Sequence, residues 1–152
     1  MAIQASGVIT LQDIQDEFGG SHPISLSEYY GSDTVPSSGQ ISLSDFYGTQ
    51  SAFTFNVTTG IDGASTLSTL ATAAGWDGTV PIVMTINSGV HIRSMSASTP
   101  SLTINVANSV VINNGAIFGY GGSTNSGAGG HAISITASGT TVTNNSGAFI
   151  AG

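Results

Sequence analysis

Hydrophobic residues follow two rhythms in this chain, and the change falls near residue 50. Before it, one eight-residue phrase occurs three times: ITLQDIQD from Ile9, ISLSEYYG from Ile24 and ISLSDFYG from Ile41. In each, a hydroxyl residue precedes an acid by three positions: Thr10 and Asp13, Ser25 and Glu28, Ser42 and Asp45. That spacing writes a capping box, in which hydroxyl and carboxylate each accept one orphan amide of a helix start. The isoleucine before each cap, with Ile14, Tyr29 or Phe46 beyond it, is placed as a hydrophobic staple. The pattern predicts three short helices, capped by Thr10, Ser25 and Ser42 and ended by Gly19, Gly31 and Gly48. Tyr29, Tyr30, Phe46 and Tyr47 gather on them. These aromatics are expected to form a miniature core and also to dock on a partner, since about fifty residues make a poor core alone.

From residue 52 the period becomes two. SAFTFNVTT alternates apolar and polar side chains and predicts a strand. One helix is expected over 65–74, with Leu67, Leu70, Ala71 and Ala74 on one face. Asp62 and Ser65 are its candidate caps, Gly75 its stop, and Trp76 packs under its end. The rest predicts strands in repeated units. FTFN (53–56), MTIN (84–87), LTIN (102–105) and ISIT (133–136) share one apolar–hydroxyl pattern. The last two copies extend further, each reaching an asparagine pair: Asn113 with Asn114, and Asn144 with Asn145. Repeats of this kind imply stacked supersecondary units. The fold class is therefore mainly β with short helices: a docking segment over 1–50, then a β-sandwich or a β-helix-like repeat domain over 51–152. Ile104 and Ile135 are expected to be buried at equivalent positions.

Charge narrows the function classes. Charged residues are 6% of the chain, against roughly 25% in ordinary soluble domains. Arg93 is the one cationic residue, all eight acids lie at or before Asp77, and the net charge is −7. Phosphate backbones and anionic membranes need Lys and Arg, so nucleic acid and membrane surfaces are not the expected partners. The absence of Cys removes disulfides and thiolate metal sites. No apolar run approaches the roughly 20 residues of a membrane span, and MAIQASGVITLQD does not resemble a secretion signal. Assembly in a cytoplasm, inside an oligomer or large particle, is the expectation.

Catalytic and cofactor chemistry finds little footing. Gly127, Gly129 and Ala132 spell G-x-G-x-x-A, but the motif leads into strand-like ISIT and not into the helix a dinucleotide requires. His22, His91 and His131 lack metal-ligand spacing. His91 and Arg93 point to the same side of a strand and suggest a polar contact. No enzyme activity, cofactor or metal is expected. The glycine-rich segment 119–130, GYGGSTNSGAGG, is either a surface loop or a packed tip that contacts a receptor or other subunits through Gly121, Gly122, Gly129 and Gly130.

The phrase GQISLSDFYG, the stretch ATAAGWDGTVPIVMTINSGVHI and the segment VVINNGAIFGYGG resemble tail and other virion structural proteins of tailed bacteriophages. Related proteins of marine and cyanobacterial phages pair such phrases with a glycine-rich distal part. The chain stops at Gly152, where that pattern places a longer glycine-rich tip. The resemblance implies a tail-fibre, tail-tip or adaptor subunit in the virion, with other virion proteins as partners and a host receptor within reach. It implies a homo-oligomer, a trimer first. The alternatives are a capsid decoration or head-fibre protein and, from a different class, a carbohydrate- or ice-binding repeat. Ice binding calls for regular Thr-x-Thr ranks, which this chain lacks.

Overall fold

A computed structural model describes residues 2–121 and 129–152. The chain divides into two compact units, Met1–Ala52 and Phe53–Gly152.

The first unit holds one α-helix, α1 (Leu11–Phe18), and two single 3₁₀ turns, Leu26–Tyr29 and Leu43–Phe46. The second and third phrases are thus one-turn elements. Each runs only four residues and is followed, after one tyrosine, by Gly31 or Gly48, which turns the chain at positive φ. Ile3, Ile9, Ile14, Tyr29, Val35 and Phe46 form its core, with Ile24 and Ile41 packed against them. Phe18, Tyr29 and Phe46 meet as a triangle with ring centroids 6.0–6.4 Å apart, two of the three contacts edge-on. This segment therefore has its own apolar centre.

The second unit is built from eleven described strands in three sheets, and every pairing is parallel. The chain crosses the sheets in turn. A first coil comprises β1 (Phe53–Val57), β2 (Ile61–Asp62) and β3 (Ser65–Thr66), followed by α2 (Leu67–Ala73). The second has β4 (Ile82–Ile86), β5 (His91–Arg93) and β6 (Leu102–Ile104). The third has β7 (Val110–Asn113), β8 (Ala116–Phe118) and β9 (Ile133–Ile135). The fourth has β10 (Thr141–Asn144) and β11 (Phe149–Ala151). Sheet 1 is β1-β4-β7-β10, sheet 2 is β2-β5-β8-β11 and sheet 3 is β3-β6-β9.

Like residues stack in columns inside these coils. Phe55, Met84, Val111 and Val142 are in register in sheet 1, and Ile61, Ile92, Ile117 and Ile150 in sheet 2. The middle members of each column are fully buried. The fourth coil has no further coil over it among the described residues, and its columns open to solvent: Ile92 and Ile117 are 0% exposed but Ile150 is 39%. The same end effect overturns one expectation. Ile104 and Ile135 are register partners, yet Ile104 is 0% and Ile135 54% exposed.

Two further expectations are corrected. The cap of α2 is Thr66, whose hydroxyl accepts from the Thr69 amide at 3.2 Å. Asp62 and Ser65 lie in strands instead, because β2 and β3 pair with β5 and β6 before the helix begins. The echo of FTFN in MTIN is off by two residues, since Phe53 pairs with Ile82 and Phe55 with Met84. LTIN and ISIT belong to sheet 3 and not to the sheet of FTFN. Trp76 packs on the core and its indole N–H donates to Val80 O at 2.8 Å.

Candidate functional site

Alternate side chains leave a strand on opposite faces. With the isoleucines of sheet 2 turned inward, its outer face carries two rows. His91, Ala116 and Phe149 form one; Arg93, Phe118 and Ala151 form the other, with Asp62 beside Arg93. Ala116 leaves a gap between two larger neighbours. The gap is a cleft of about 320 Å³, bounded by Ser88, His91, Asn114, Phe118 and Phe149. Phe149 is 63% and Phe118 39% exposed.

The backbone beneath is closely fitted. A side chain on Gly115 would place its Cβ 2.1 Å from Val90 O and 2.6 Å from Asn87 O, so only glycine lets the third coil lie on the second here. The Ala116 amide donates to Val90 O at 2.9 Å, and the Phe149 amide to Gly115 O at 3.0 Å. Gly60 backs the His91 imidazole, since a Cβ there would lie 2.6 Å from the ring.

Asp62 joins the chain's one cationic residue to its histidine. Its Oδ1 accepts from Arg93 Nε and lies 3.0 Å from His91 Nε2. The Arg93 hydrogen bond, then that of His91, holds the Asp62 carboxyl below the usual aspartate range. Asp62 in turn raises Arg93 further. The same-side placement of His91 and Arg93 was readable from strand alternation; Asp62 as their partner was not, because it read as a helix cap.

The two ends of segment 119–130 lie against each other and form a narrow neck. The Gly130 amide donates to Tyr120 O at 2.8 Å. A Cβ on Gly119 would meet Gly130 O at 1.9 Å, and one on Gly130 would meet Ser96 O at 3.1 Å. Among the described residues, a Cβ on Gly121 would meet nothing within 4 Å and one on Gly129 only Tyr120 O at 3.4 Å. Gly122 lies outside the described residues, as does Gly127 of the G-x-G-x-x-A motif; Ala132 is followed by β9, not by a helix.

In the first unit the predicted caps sit at their expected starts. Thr10 and Asp13 bond reciprocally, Thr10 N to Asp13 Oδ2 at 2.7 Å and Asp13 N to Thr10 Oγ1 at 3.2 Å. The Ser25 amide donates to Glu28 at 3.3 Å and the Ser42 amide to Asp45 at 2.7 Å. Docking through Tyr29 and Phe46 is corrected: they are 3% and 0% exposed, consumed by the unit's own core. Tyr30 and Tyr47 remain 40% and 38% exposed, their hydroxyls donating to Gly39 O and Gly7 O. Val8, at 84%, and Leu11 and Leu43 add to the exposed apolar surface of this unit.

The second unit is thus a stack of parallel coils that displays Phe118 and Phe149 on an outer face. Residues 50–152 match the family of the phage tail fibre adhesin Gp38. The match takes in the whole second unit, and the chain belongs to this family of bacteriophage tail-fibre proteins. No curated protein and no solved structure matches the chain.

Proposed function

We propose that the protein is an adhesin subunit of a phage tail fibre, in which a β-helix-like second unit faces the host and the first unit docks to other virion proteins. The carrying observation is the family match, which begins at residue 50 and coincides with the stack beginning at Phe53. Parallel pairing in three sheets favours the β-helix-like description, since sandwiches pair antiparallel. Docking falls to Tyr30, Tyr47, Val8, Leu11 and Leu43, the large apolar side chains the first unit leaves exposed. A homo-oligomer or a place in a larger assembly is supported by the second unit, whose charged side chains are only Asp62, Asp77 and Arg93; a trimer first is what the resemblance to fibrous phage appendages implies. The capsid-decoration alternative draws no support from a family described by the tail fibre.

Two measurements on the purified protein test this. It should compete with phage for adsorption to host cells, and a variant lacking residues 1–52 should stay β-rich yet fail to enter virions. Normal adsorption in excess protein refutes the adhesin role. Normal incorporation of the shortened chain refutes docking through the first unit.

A further inference from the structure

The cleft over Ala116, about 320 Å³, falls within the roughly 300–1,000 Å³ of small-ligand sites. Its walls differ in chemistry. Phe149 and Phe118 present ring surface to solvent, while Ser88, His91 and Asn114 supply hydroxyl, imidazole and amide groups. His91 and Phe149 stand on strands two spacings apart, about 9.6 Å, with only a methyl group between them. A slot of that width admits one six-membered ring between two side chains.

Charge selects among ligands. The carboxylate and guanidinium nearest the cleft are bonded to each other, so Asp62 and Arg93 cancel locally. With no other cationic side chain in the protein, an anionic ligand has no counter-charge to meet. A cationic ligand finds Asp62 already engaged. The fitting ligand is uncharged, with a C–H face to lie on the electron-rich face of an aromatic ring and hydroxyls for the polar wall.

We propose that this cleft binds a neutral saccharide unit, one ring face against Phe149 and its hydroxyls toward Ser88, His91 and Asn114. The proposal rests on the adhesin reading in making that saccharide part of the host surface.

The test uses the full chain with neutral methyl glycosides of glucose, galactose and mannose, read by saturation-transfer NMR and titration. At least one glycoside should bind, with transfer strongest at its ring C–H protons. Phe149→Ala should weaken that binding at least tenfold, and Ala116→Phe, which fills the slot, should abolish it. Val8→Ala in the other unit should leave it unchanged, and thermal unfolding of each variant should show an intact stack. No binding of any neutral glycoside, or binding untouched by both cleft variants, overturns the proposal. Protein that blocks phage adsorption but binds no glycoside overturns the saccharide assignment and leaves the adhesin reading standing. Glycoside binding without blocking keeps the assignment and removes the adhesin reading of this face.

Discussion

Asn113 donates its side-chain amide to the side-chain oxygen of Asn144, its register partner one coil on, at 2.7 Å. Asn113 is fully buried, and its remaining bonds reach Phe149 O at 3.0 Å and accept from the Gly115 amide at 3.1 Å. One side chain thus fixes the corner between sheets 1 and 2 in two successive coils. Its neighbours repeat the device outside: Asn145 donates to Asn114 at 2.7 Å. Asn113→Ala leaves three polar atoms without this partner and should cost at least about 2 kcal/mol. Asn144→Ala, on an exposed residue, should cost less than half as much. Urea denaturation of both variants checks the ratio.

The register pair Ile104 and Ile135 makes a second contrast. Ile104→Ala removes buried methyl groups and should cost about 2–5 kcal/mol. The same change at the half-exposed Ile135 should stay within about 1 kcal/mol. Equal losses in thermal unfolding would mean that β9, the last strand of sheet 3, is covered in solution.

Coil-to-coil contact at Gly115 leaves no room for a methyl group. Gly115→Ala should cost about 3 kcal/mol and broaden the near-ultraviolet signals of the second unit. Gly121→Ala, with no described atom within 4 Å of the added Cβ, should be silent in the same measurement.

Acid should weaken the fold in a defined window. Asp13, hydrogen-bonded by Thr10, Asp62, bonded by Arg93 and His91, and Asp77, bonded by Thr79, all sit below the ordinary aspartate range. Their native affinities for a proton are lower than in the unfolded chain, so the unfolded state takes up more protons as acid is added. The stability they contribute is present above about pH 3.9 and is lost as pH falls through their lower native values. Denaturation midpoints should therefore be flat from neutral pH down to about 5 and fall below about 4. Asp62→Asn should make that fall shallower.

Capping in the first unit is local. Thr10→Ala should cost about 0.5–2 kcal/mol, seen as faster amide exchange in Leu11–Phe18 with the second unit unchanged.

Much of this architecture was legible because it is periodic. The 31-residue echo aligned Leu102 with Ile133 and Asn113 with Asn144, and both are register pairs. The echo failed between Phe53 and Met84 because strands with the same alternation fit a neighbour equally well when slipped by two. It also could not separate sheet 1 from sheet 3, since every face of such a coil shows the same inward–outward pattern. The cleft was illegible for a different reason. Ala116 is an unremarkable residue in the sequence, and becomes a floor only when coiling sets His91 and Phe149 on either side. Tyr29 and Phe46 read both as members of a miniature core and as docking residues; the core half is what the structure shows, and it is assembled from all three phrases at once.

The neck at Gly119 and Gly130 has a consequence for how such a protein can change over generations. The two ends of segment 119–130 lie at adjacent points, tied by the hydrogen bond from the Gly130 amide to Tyr120 O. Lengthening it adds only a logarithmic cost in closure entropy. With both ends fixed, a change of length between them is compatible with the same registers of β8 and β9, so the scaffold need not re-evolve when that stretch does.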